Sequence, residues 1–346
     1  MPSSRISRRA LLAITAGAAV GGRAGEAHAA IPLRIGMLHT LSPAPLYIAQ
    51  ARGYFAREGL APKFRFFEAA QPIAAAAVSG DIDIGSTALT GGFFNLAARG
   101  ALRVFGGMLH EEPGYDGSAI LVSRKAYAAG LTSPARLAGH SFGITQYGSS
   151  FHYMVGRLAM AAHFPLKSIV LRPLQTVPNM VAAVRTGQVD ATIAIASMAK
   201  PLDAKGEAKI IGWVGDLVPY QITTLFTTER MIRKKADTLH RFARAYESAI
   251  ADYFHAFLRK DAAGKLIYDA STTAAIAAIQ KYVFVGDPKG PEKILAGLGY
   301  YSPGGGLDVA DVGRQLHWFE AQGFVKAHLH AAQVVDTSFI KPMQGA

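Results

Sequence analysis

A helix-to-strand corner that occurs twice constrains this 346-residue chain more than any other feature. Residues 77–83 have the sequence Ala-Val-Ser-Gly-Asp-Ile-Asp, and residues 183–190 have the sequence Ala-Val-Arg-Thr-Gly-Gln-Val-Asp. In both copies a glycine ends a helix, one spacer residue follows, and a β-branched residue and an aspartate open the next strand. Two copies are too few for a solenoid, so the repeat predicts two similar lobes.

Short β-type segments alternate with helix-length segments around these corners, which is the pattern of an α/β sheet with crossover helices. The predicted strands lie at 33–37, 64–67, 82–85 and 102–108 in the first cycle and at 119–122, 142–145, 169–171, 191–196 and 210–213 in the second. From about Thr224 the pattern turns helical, with predicted helices at 232–258, 271–283, 291–297 and 309–322. We therefore expect an α/β fold with two doubly wound sheets and additional packed helices.

Composition narrows the class of protein further. Half of the residues are hydrophobic, so the chain can bury a large core, and its length predicts two domains at about 150 residues each. The absence of cysteine excludes thiolate zinc sites, iron–sulfur clusters and cysteine nucleophiles. The sequence also contains no phosphate-binding loop, dinucleotide fingerprint or nucleophile elbow. We therefore expect no catalytic residue, no cofactor and no metal.

The first 29 residues have the features of a secretory signal peptide. The pair Arg8-Arg9 precedes an apolar run at 10–20, and residues 27–29 (Ala-His-Ala) offer a small-residue cleavage site. The arginine pair resembles a twin-arginine export signal, and general secretion stays open. No later stretch reaches the roughly 18 apolar residues of a membrane span. We expect cleavage after Ala29 and, since no cysteine can carry a lipid anchor, a periplasmic location.

Three segments carry a resemblance to a known family. They are Pro-Leu-Tyr-Ile-Ala-Gln-Ala-Arg-Gly-Tyr-Phe-Ala-Arg-Glu-Gly-Leu at 45–60, Ser-Gly-Asp-Ile-Asp-Ile-Gly-Ser at 79–86 and Gly-Gln-Val-Asp-Ala at 187–191. Their order and spacing resemble the substrate-binding proteins of bacterial ABC importers along most of residues 31–229. The relevant branch includes nitrate, taurine, alkanesulfonate and thiamine-pyrimidine-precursor binders (SsuA/THI5-like, NMT1-like). The Gly-Tyr-Phe-x-x-Glu-Gly-Leu stretch is its most specific part.

The resemblance implies a type II periplasmic binding protein fold, in which two lobes joined by two hinge crossings close on a ligand. The crossings would fall near 114–119 and 220–224. Lobe I would then comprise 31–117 plus 224–346, and lobe II would comprise 118–223. The implied protein is a monomeric, non-enzymatic component of an ABC importer that captures a small anionic, sulfonate-like or nitrate-like solute. Its implied partners are that small-molecule ligand and a cognate inner-membrane ABC permease, with no nucleic acid.

Three other functions stay open at this point. The chain could bind a thiamine pyrimidine precursor or another flat heterocycle, on which Tyr47, Tyr115 and Tyr147 could stack. It could be an exported sensory binding protein. A pyrimidine synthase for thiamine shares the implied fold, but the resemblance gives that enzyme a cytosolic location and a cysteine-rich motif, whereas this chain has an export signal and no cysteine.

Ligands of open parallel sheets bind beyond the carboxyl ends of the strands, which directs attention to the loops that follow predicted strands. Gly148, two serines and a helix start in loop 146–150 could hold an anion without formal charge, so we expect this loop to be the main anion contact. A plain serine cap, a core tyrosine and a structural histidine are the ordinary alternatives for such residues. The candidate ligand-binding residues are His39, Thr40, Tyr47, Ser86, Thr87, Gln146, Tyr147, Ser149, Ser150 and Ser197. The resemblance of residues 149–153 to a stretch of taurine-type binders adds His152.

One charged segment falls outside this hypothesis. Its basic residues are Arg230, Arg233, Lys234, Lys235, Arg241 and Arg244. Because no aromatic residues are interleaved with these charges, and an exported protein rarely meets nucleic acid, the pattern favours a solvated helix face.

Overall fold

The computed structural model describes residues 29–343, so the predicted signal peptide lies outside the described residues except for Ala29. Alternating strands and helices form the first part of the chain, as the sequence pattern predicts. They are β1 (Ile31–Leu38), α1 (Ala44–Ala51), α2 (Tyr54–Arg57), β2 (Leu60–Phe67), α3 (Ala70–Ser79), β3 (Ile84–Thr87), α4 (Gly91–Ala98) and β4 (Leu102–Gly107). No helix in residues 29–343 is long and apolar enough to cross a membrane.

A second alternating series follows a short linking strand. Its elements are β5 (Leu109–Glu111), β6 (Ser118–Ser123), α5 (Arg124–Ala128), β7 (Ser141–Ile144), α6 (Ser150–Ala161), β8 (Val170–Pro173), α7 (Val177–Thr186), β9 (Ala191–Ile195), α8 (Ala196–Ala204), β10 (Ala208–Trp213) and α9 (Val214–Leu217).

The last third of the chain returns to the first sheet and then becomes mainly helical. It contains β11 (Tyr220–Gln221), β12 (Thr224–Thr228), α10 (Glu229–Lys234), α11 (Ala236–Phe257), α12 (Ala270–Gln280), α13 (Gly290–Ala296), β13 (Tyr300–Tyr301) and α14 (Val309–Ala321). The single helix predicted at 232–258 was wrong. Lys235 leaves the helical conformation, with φ −137° and ψ 36°, and separates α10 from α11.

Two five-stranded sheets confirm the predicted two-lobed α/β fold. We call the sheet with order β2-β1-β3-β12-β4 and its helices lobe I, and the sheet with order β10-β6-β9-β7-β8 and its helices lobe II. In each sheet one strand, β12 or β6, runs antiparallel to its neighbours. A third sheet, β11-β5-β13, pairs the two chain crossings with each other, and the sequence pattern did not reveal it.

The repeated corner makes the same backbone contact in both lobes. Asp83 Oδ2 accepts the backbone N–H of Arg34 at 2.8 Å, and Asp190 Oδ2 accepts the backbone N–H of Ser141 at 2.9 Å. Each aspartate precedes a central strand and holds the neighbouring strand, β1 or β7, near its amino end. The corner therefore has a structural role at the sheet edge that lies away from the carboxyl ends of the strands.

Gly85 of β3 provides a test of the packing in lobe I. It lies opposite Phe226 of β12, and a Cβ atom on Gly85 would lie 2.2 Å from the Phe226 ring. Because Phe226 is fully buried, its ring cannot move into solvent. Gly85→Ala should lower the free energy of unfolding by about 1–3 kcal/mol, measured by urea titration. Gly313→Ala, where a Cβ meets nothing nearer than 3.5 Å, should be neutral or stabilising; equal losses would contradict this packing.

Candidate functional site

A cavity of about 60 Å³ lies between the two lobes, at the carboxyl ends of their parallel strands. Its hydroxyl-bearing lining residues are Thr40, Ser42, Thr87, Ser118, Thr145, Ser150 and Thr223. Its apolar lining residues are Leu38, Ala69, Ala70, Ala88, Leu109, Phe151, Met154, Val177, Ile195 and Ile222. No charged side chain is among the described residues that line it. The cavity therefore offers hydroxyl groups, backbone groups and apolar contacts.

The hydroxyl groups of the lining differ in how far the protein already uses them. The Thr40 hydroxyl accepts the Ser42 N–H at 3.2 Å, and the Thr223 hydroxyl accepts the Leu109 N–H at 2.9 Å. Thr87 is 3% exposed, and its Oγ1 is buried without a hydrogen-bond partner. An unsatisfied buried hydroxyl costs about 1–3 kcal/mol, so Thr87 gains most from a polar ligand atom or a water in the cavity.

The amino terminus of α6 supplies further donors. Ser149 is the helix cap, and its hydroxyl accepts the His152 N–H at 3.3 Å. Ser150 and Phe151 are the first two residues of the helix, so their N–H groups have no acceptor within it. Among the described residues neither N–H has another protein acceptor, and both residues line the cavity. The positive end of the helix dipole thus lies at the cavity wall.

His152 supports this loop without bringing a charge to it. Its Nδ1 accepts the Gly148 N–H at 3.2 Å, and its ring lies 5.2 Å from the Trp318 ring and 5.3 Å from the Phe324 ring. Burial lowers the pKa of His152 to about 4, so the imidazole is neutral at pH 7. The helix start and the hydroxyl groups therefore act without a neighbouring cation.

Three of the residues predicted from the sequence, Thr40, Thr87 and Ser150, come together in the cavity lining. Three others make contacts within lobe I instead, and His39 among them is exposed. His39 Nε2 lies 2.7 Å from the Tyr282 carbonyl oxygen, the Tyr47 ring stacks on the Tyr282 ring at 4.9 Å, and Ser86 Oγ lies 2.8 Å from the sulfur of Met108.

The other predicted residues lie where the two lobes touch or on the surface. The Gln146 side chain donates to the Gln71 side chain across the cleft, and Tyr147 is 53% exposed. Ser197 packs closely on Gly297, the residue that follows α13. A Cβ atom added to Gly297 would lie 2.3 Å from the Cβ atom of Ser197. Together with the Ser149 cap and His152, these residues support the cavity or close it instead of lining it. Their role in binding stays a prediction.

Four lining hydroxyls were missed in the sequence: Ser42, Ser118, Thr145 and Thr223. Ser42 follows β1 and lies in a loop that the sequence rule indicates. Thr145 follows β7 but was assigned to the predicted strand 142–145, which ends at Ile144 in the structure. Ser118 and Thr223 were harder to find because β6 and β12 run antiparallel to their neighbours. An antiparallel strand presents its first residue, not its last, at this edge of the sheet.

Contacts on both sides of the cavity hold the lobes together in this structure. The Gly91 N–H at the start of α4 donates to the Gly148 carbonyl oxygen at 2.9 Å. The Gln146–Gln71 contact lies on the same side, and the Ser197–Gly297 contact joins α8 to the end of α13. The cleft is therefore closed around the cavity.

Behind the cavity, the crossing strand β5 contains a fully buried carboxyl group, that of Glu111. Its Oε2 accepts the Ser118 N–H at 3.1 Å, while its Oε1 has no hydrogen-bond partner. No Lys, Arg or His among the described residues forms an ion pair with it, and burial raises the pKa of the Glu111 carboxyl. The hydroxyl of Tyr220, directly opposite on β11, is also buried without a partner. This environment favours the protonated, neutral form of Glu111.

The stability of the protein should therefore depend on the protonation of Glu111. Because its pKa is higher in the folded than in the unfolded state, its contribution is fully present below about pH 4.3 and is lost as the pH rises through the raised value. Relative to Glu111→Gln, the wild type should lose on the order of 1 kcal/mol or more of unfolding free energy as the pH rises from about 5 to 8. Urea titrations at about pH 5 and 8 measure this difference. Glu68→Gln, which removes an exposed carboxyl, is the control and should keep the pH dependence of the wild type. If Glu111→Gln showed the same pH dependence as the other two proteins, a neutral Glu111 would be contradicted.

The two lobes and the cavity between them are typical of a periplasmic-binding-protein fold. The model of the family described as NMT1/THI5 like matches residues 41–256, more than half of the chain, so the chain belongs to the NMT1/THI5-like family. The resemblance inferred from the sequence is thereby confirmed. No curated protein matches the chain in sequence.

Solved structures agree with this family membership. The chain is similar to the alkanesulfonate-binding protein SsuA from Xanthomonas axonopodis pv. citri bound to MOPS, with 20% identity, a TM-score of 0.68, and 89% of this chain and 98% of that chain covered. It is similar to the periplasmic aliphatic sulphonate binding protein SsuA from Escherichia coli, with 18% identity, a TM-score of 0.68, and 91% and 94% covered. The desulfurization enzyme DszB is a more distant neighbour, with 13% identity, a TM-score of 0.59, and 89% and 97% covered. These likenesses show the fold.

Proposed function

We propose that this protein is the periplasmic solute-binding component of an ABC importer and that it captures a small, sulfonate-like organic anion in the interlobe cavity. One observation carries the proposal: Ser150 and Phe151, whose N–H groups have no protein acceptor among the described residues, line the same cavity as Thr87, whose hydroxyl has no partner. Donors of this kind bind anionic oxygens without a formal positive charge. The solute-binding proteins among its structural neighbours support the same function.

The lining also supports a particular ligand charge and shape. A helix amino terminus contributes about half an elementary charge, which suits a single negative charge better than two. Leu38, Met154 and Ile195 are among the apolar lining residues that would surround the uncharged part of the ligand. A monoanion with a short apolar body fits this lining better than a fully hydrated dianion does.

The alternative ligand, a flat heterocycle, has weaker support. Tyr47 stacks on Tyr282, Tyr115 lies against Tyr300 with ring centroids 4.9 Å apart, and Tyr147 is exposed, so none of the three lines the cavity. Phe151 is the one aromatic residue in the described lining. Stacking between two aromatic rings is therefore not available in this closed form.

A binding function is also better supported than catalysis. Hydroxyl groups need an adjacent base or a metal to become nucleophiles, and no titratable side chain is among the described residues lining the cavity. No group of three or more metal-ligating side chains occurs within residues 29–343. The lobe boundaries proposed above, 31–117 plus 224–346 and 118–223, fit a closure mechanism because β6 begins at Ser118 and β12 begins at Thr224.

A thermal-shift screen against sulfonates, nitrate, carboxylates and pyrimidines tests the ligand class. A ligand at 100 times its Kd should add about 2.7 kcal/mol of stability. Calorimetry should then show that Ser150→Ala and Thr87→Val each weaken binding of the best anion by about tenfold or more, because each removes a hydrogen bond to a charged group. Thr87→Val keeps the shape of the side chain.

Ser149→Ala is the matched control for these variants. Its hydroxyl caps α6, so the change should cost about 1 kcal/mol of stability with a much smaller effect on affinity. Stabilisation by pyrimidines and by no anion would favour the alternative ligand. Unchanged affinity in both Ser150→Ala and Thr87→Val would show that the anion lies elsewhere.

Export can be tested separately. If residues 1–29 are a cleaved signal peptide, mass analysis of the protein from the periplasmic fraction should give a chain that begins at Ala30. Recovery of the intact Met1 terminus in the soluble periplasmic fraction would contradict this. Stimulation of the ATPase activity of a candidate ABC permease by the loaded protein would distinguish transport from a sensory function.

A further inference from the structure

A second cavity, of about 260 Å³, lies at the opposite edge of the lobe I sheet from the ligand cavity. Four of its lining residues are basic: Arg34, Arg230, Lys234 and Lys235. Arg34 lies on β1 beside Asp83, which precedes β3, and the other three lie on or just after α10, which follows β12. The cavity is therefore at the amino ends of the parallel strands, on the side of the lobe that faces away from the cleft.

Most of these cations have no acidic partner. Arg34 pairs with Asp83 at 3.0 Å, but Arg230, Lys234 and Lys235 are exposed and form no ion pair with any described residue. Nearby, Arg65 donates to the Asp81 carbonyl oxygen, and Arg233 is exposed beside Lys234. We call the six basic residues of this edge the basic surface: Arg34, Arg65, Arg230, Arg233, Lys234 and Lys235.

The basic surface holds the charge excess of its lobe. Against its six cations stand two carboxylates, Asp81 and Asp83, which leaves a net charge of four. The rest of residues 31–117 and 224–346 carries 16 Lys and Arg and 17 Asp and Glu, so it is nearly neutral. The excess is therefore concentrated at one edge instead of being spread over the lobe.

We propose that the basic surface binds the anionic headgroups of a lipid membrane. Clusters of four to eight lysines and arginines are typical of proteins that bind anionic lipid, where each basic residue contributes an attraction that salt screens. A single phosphate group could occupy the cavity, but the six cations extend beyond it and can face several headgroups at once. The described residues that line the cavity include no aromatic side chain on which a nucleic-acid base could stack, so a lipid surface is the better match.

This position has a consequence for ligand capture. Because the basic surface and the ligand cavity lie at opposite edges of the lobe I sheet, a membrane that contacts the first does not cover the second. The protein should bind its solute equally well on and off vesicles. The proposal does not depend on the nature of that solute.

Vesicle co-sedimentation tests the proposal on the full mature chain. The wild type should bind phosphatidylcholine vesicles that contain about one-third phosphatidylglycerol and should bind pure phosphatidylcholine at least tenfold more weakly. Binding should fall sharply between about 0.05 and 0.5 M NaCl, because exposed charges are screened. Lys234→Glu with Lys235→Glu should reduce binding to the anionic vesicles at least tenfold.

Arg124→Glu with Lys125→Glu is the matched control. Both residues are exposed on α5 of lobe II, form no ion pair with a described residue, and give the same change in net charge. The binding of this variant to anionic vesicles should fall less than threefold, because α5 lies outside the basic surface. A milder pair, Lys234→Gln with Lys235→Gln, removes the two charges without reversing them and should show an intermediate loss with the fold retained.

Three results would overturn the proposal. Equal losses in the α5 and α10 variants would show that net charge alone drives binding. Competition by millimolar inorganic phosphate would assign the cavity to a free phosphate group. Binding to single-stranded DNA that depends on Lys234 and Lys235, without binding to anionic vesicles, would assign the surface to nucleic acid.

Discussion

Hydrogen bonds from the side chain and backbone of Gln221 connect the two chain crossings to each other and to α14, at the point where the two lobes meet. Its backbone N–H donates to Asp311 Oδ2 at 3.0 Å, and its carbonyl oxygen accepts from Gln315 Nε2 at 2.8 Å. Its side-chain nitrogen donates to the carbonyl oxygens of Leu109 and Thr223, and its side-chain oxygen accepts from Ser302 and from the Asp308 N–H. Gln221 is fully buried, and every one of its polar groups has a partner. A satisfied buried network of this kind fixes a unique geometry, here that of both crossings relative to α14.

This fixed crossing determines where the cavity can form. The pairing of residues 110 and 111 with 221 and 220 places the two chain crossings side by side. Further along each crossing, Ser118 and Thr223 lie at the cavity; Ser118 opens the antiparallel strand β6, and Thr223 directly precedes the antiparallel strand β12. Glu111 joins the two features, because its carboxyl accepts the Ser118 N–H behind the cavity wall. If the lobes rotate about the crossings, as the proposed closure requires, the cavity and the surroundings of Glu111 change together.

Most of the fold could be predicted from the sequence because it depends on local signals. The glycine stops and the aspartates of the repeated corner act within one helix-to-strand connection. The alternation of short apolar runs with helices predicts all five strands of the lobe II sheet and four of the five in lobe I. The fifth, β12 (Thr224–Thr228), was missed, because the helical pattern was expected to begin at about Thr224. The sheet of crossings could not be predicted, because β11 and β13 have two residues each and form only by long-range pairing. The break at Lys235 was missed for a similar reason. Basic residues are compatible with a helix, so the composition of the segment gave no stop signal.

The site was less predictable, and particular residues show why. Thr40, Thr87 and Ser150 follow the rule for parallel strands, whereas Tyr47 and Ser86 lie close in sequence but point into lobe I. Alternation along a strand sends Ser86 and Thr87 to opposite faces, and the sequence does not say which face meets the other lobe. Ser149 and Ser150 differ in the same way, since a helix cap uses the first hydroxyl and leaves the second free.

In the proposed function, the lack of a charged side chain in the described cavity lining would allow the site both to bind and to release an anion. An arginine held there without a ligand would be a buried, unpaired charge, which costs several kcal/mol unless a carboxylate accompanies it. Hydroxyl groups and helix N–H donors cost far less when the cavity is empty, because water can satisfy them. In that proposal, closure would strengthen their attraction to the anion by excluding solvent, and opening would return the ligand to water. A reversible carrier needs affinity that depends on closure, and a lining of this kind would provide it.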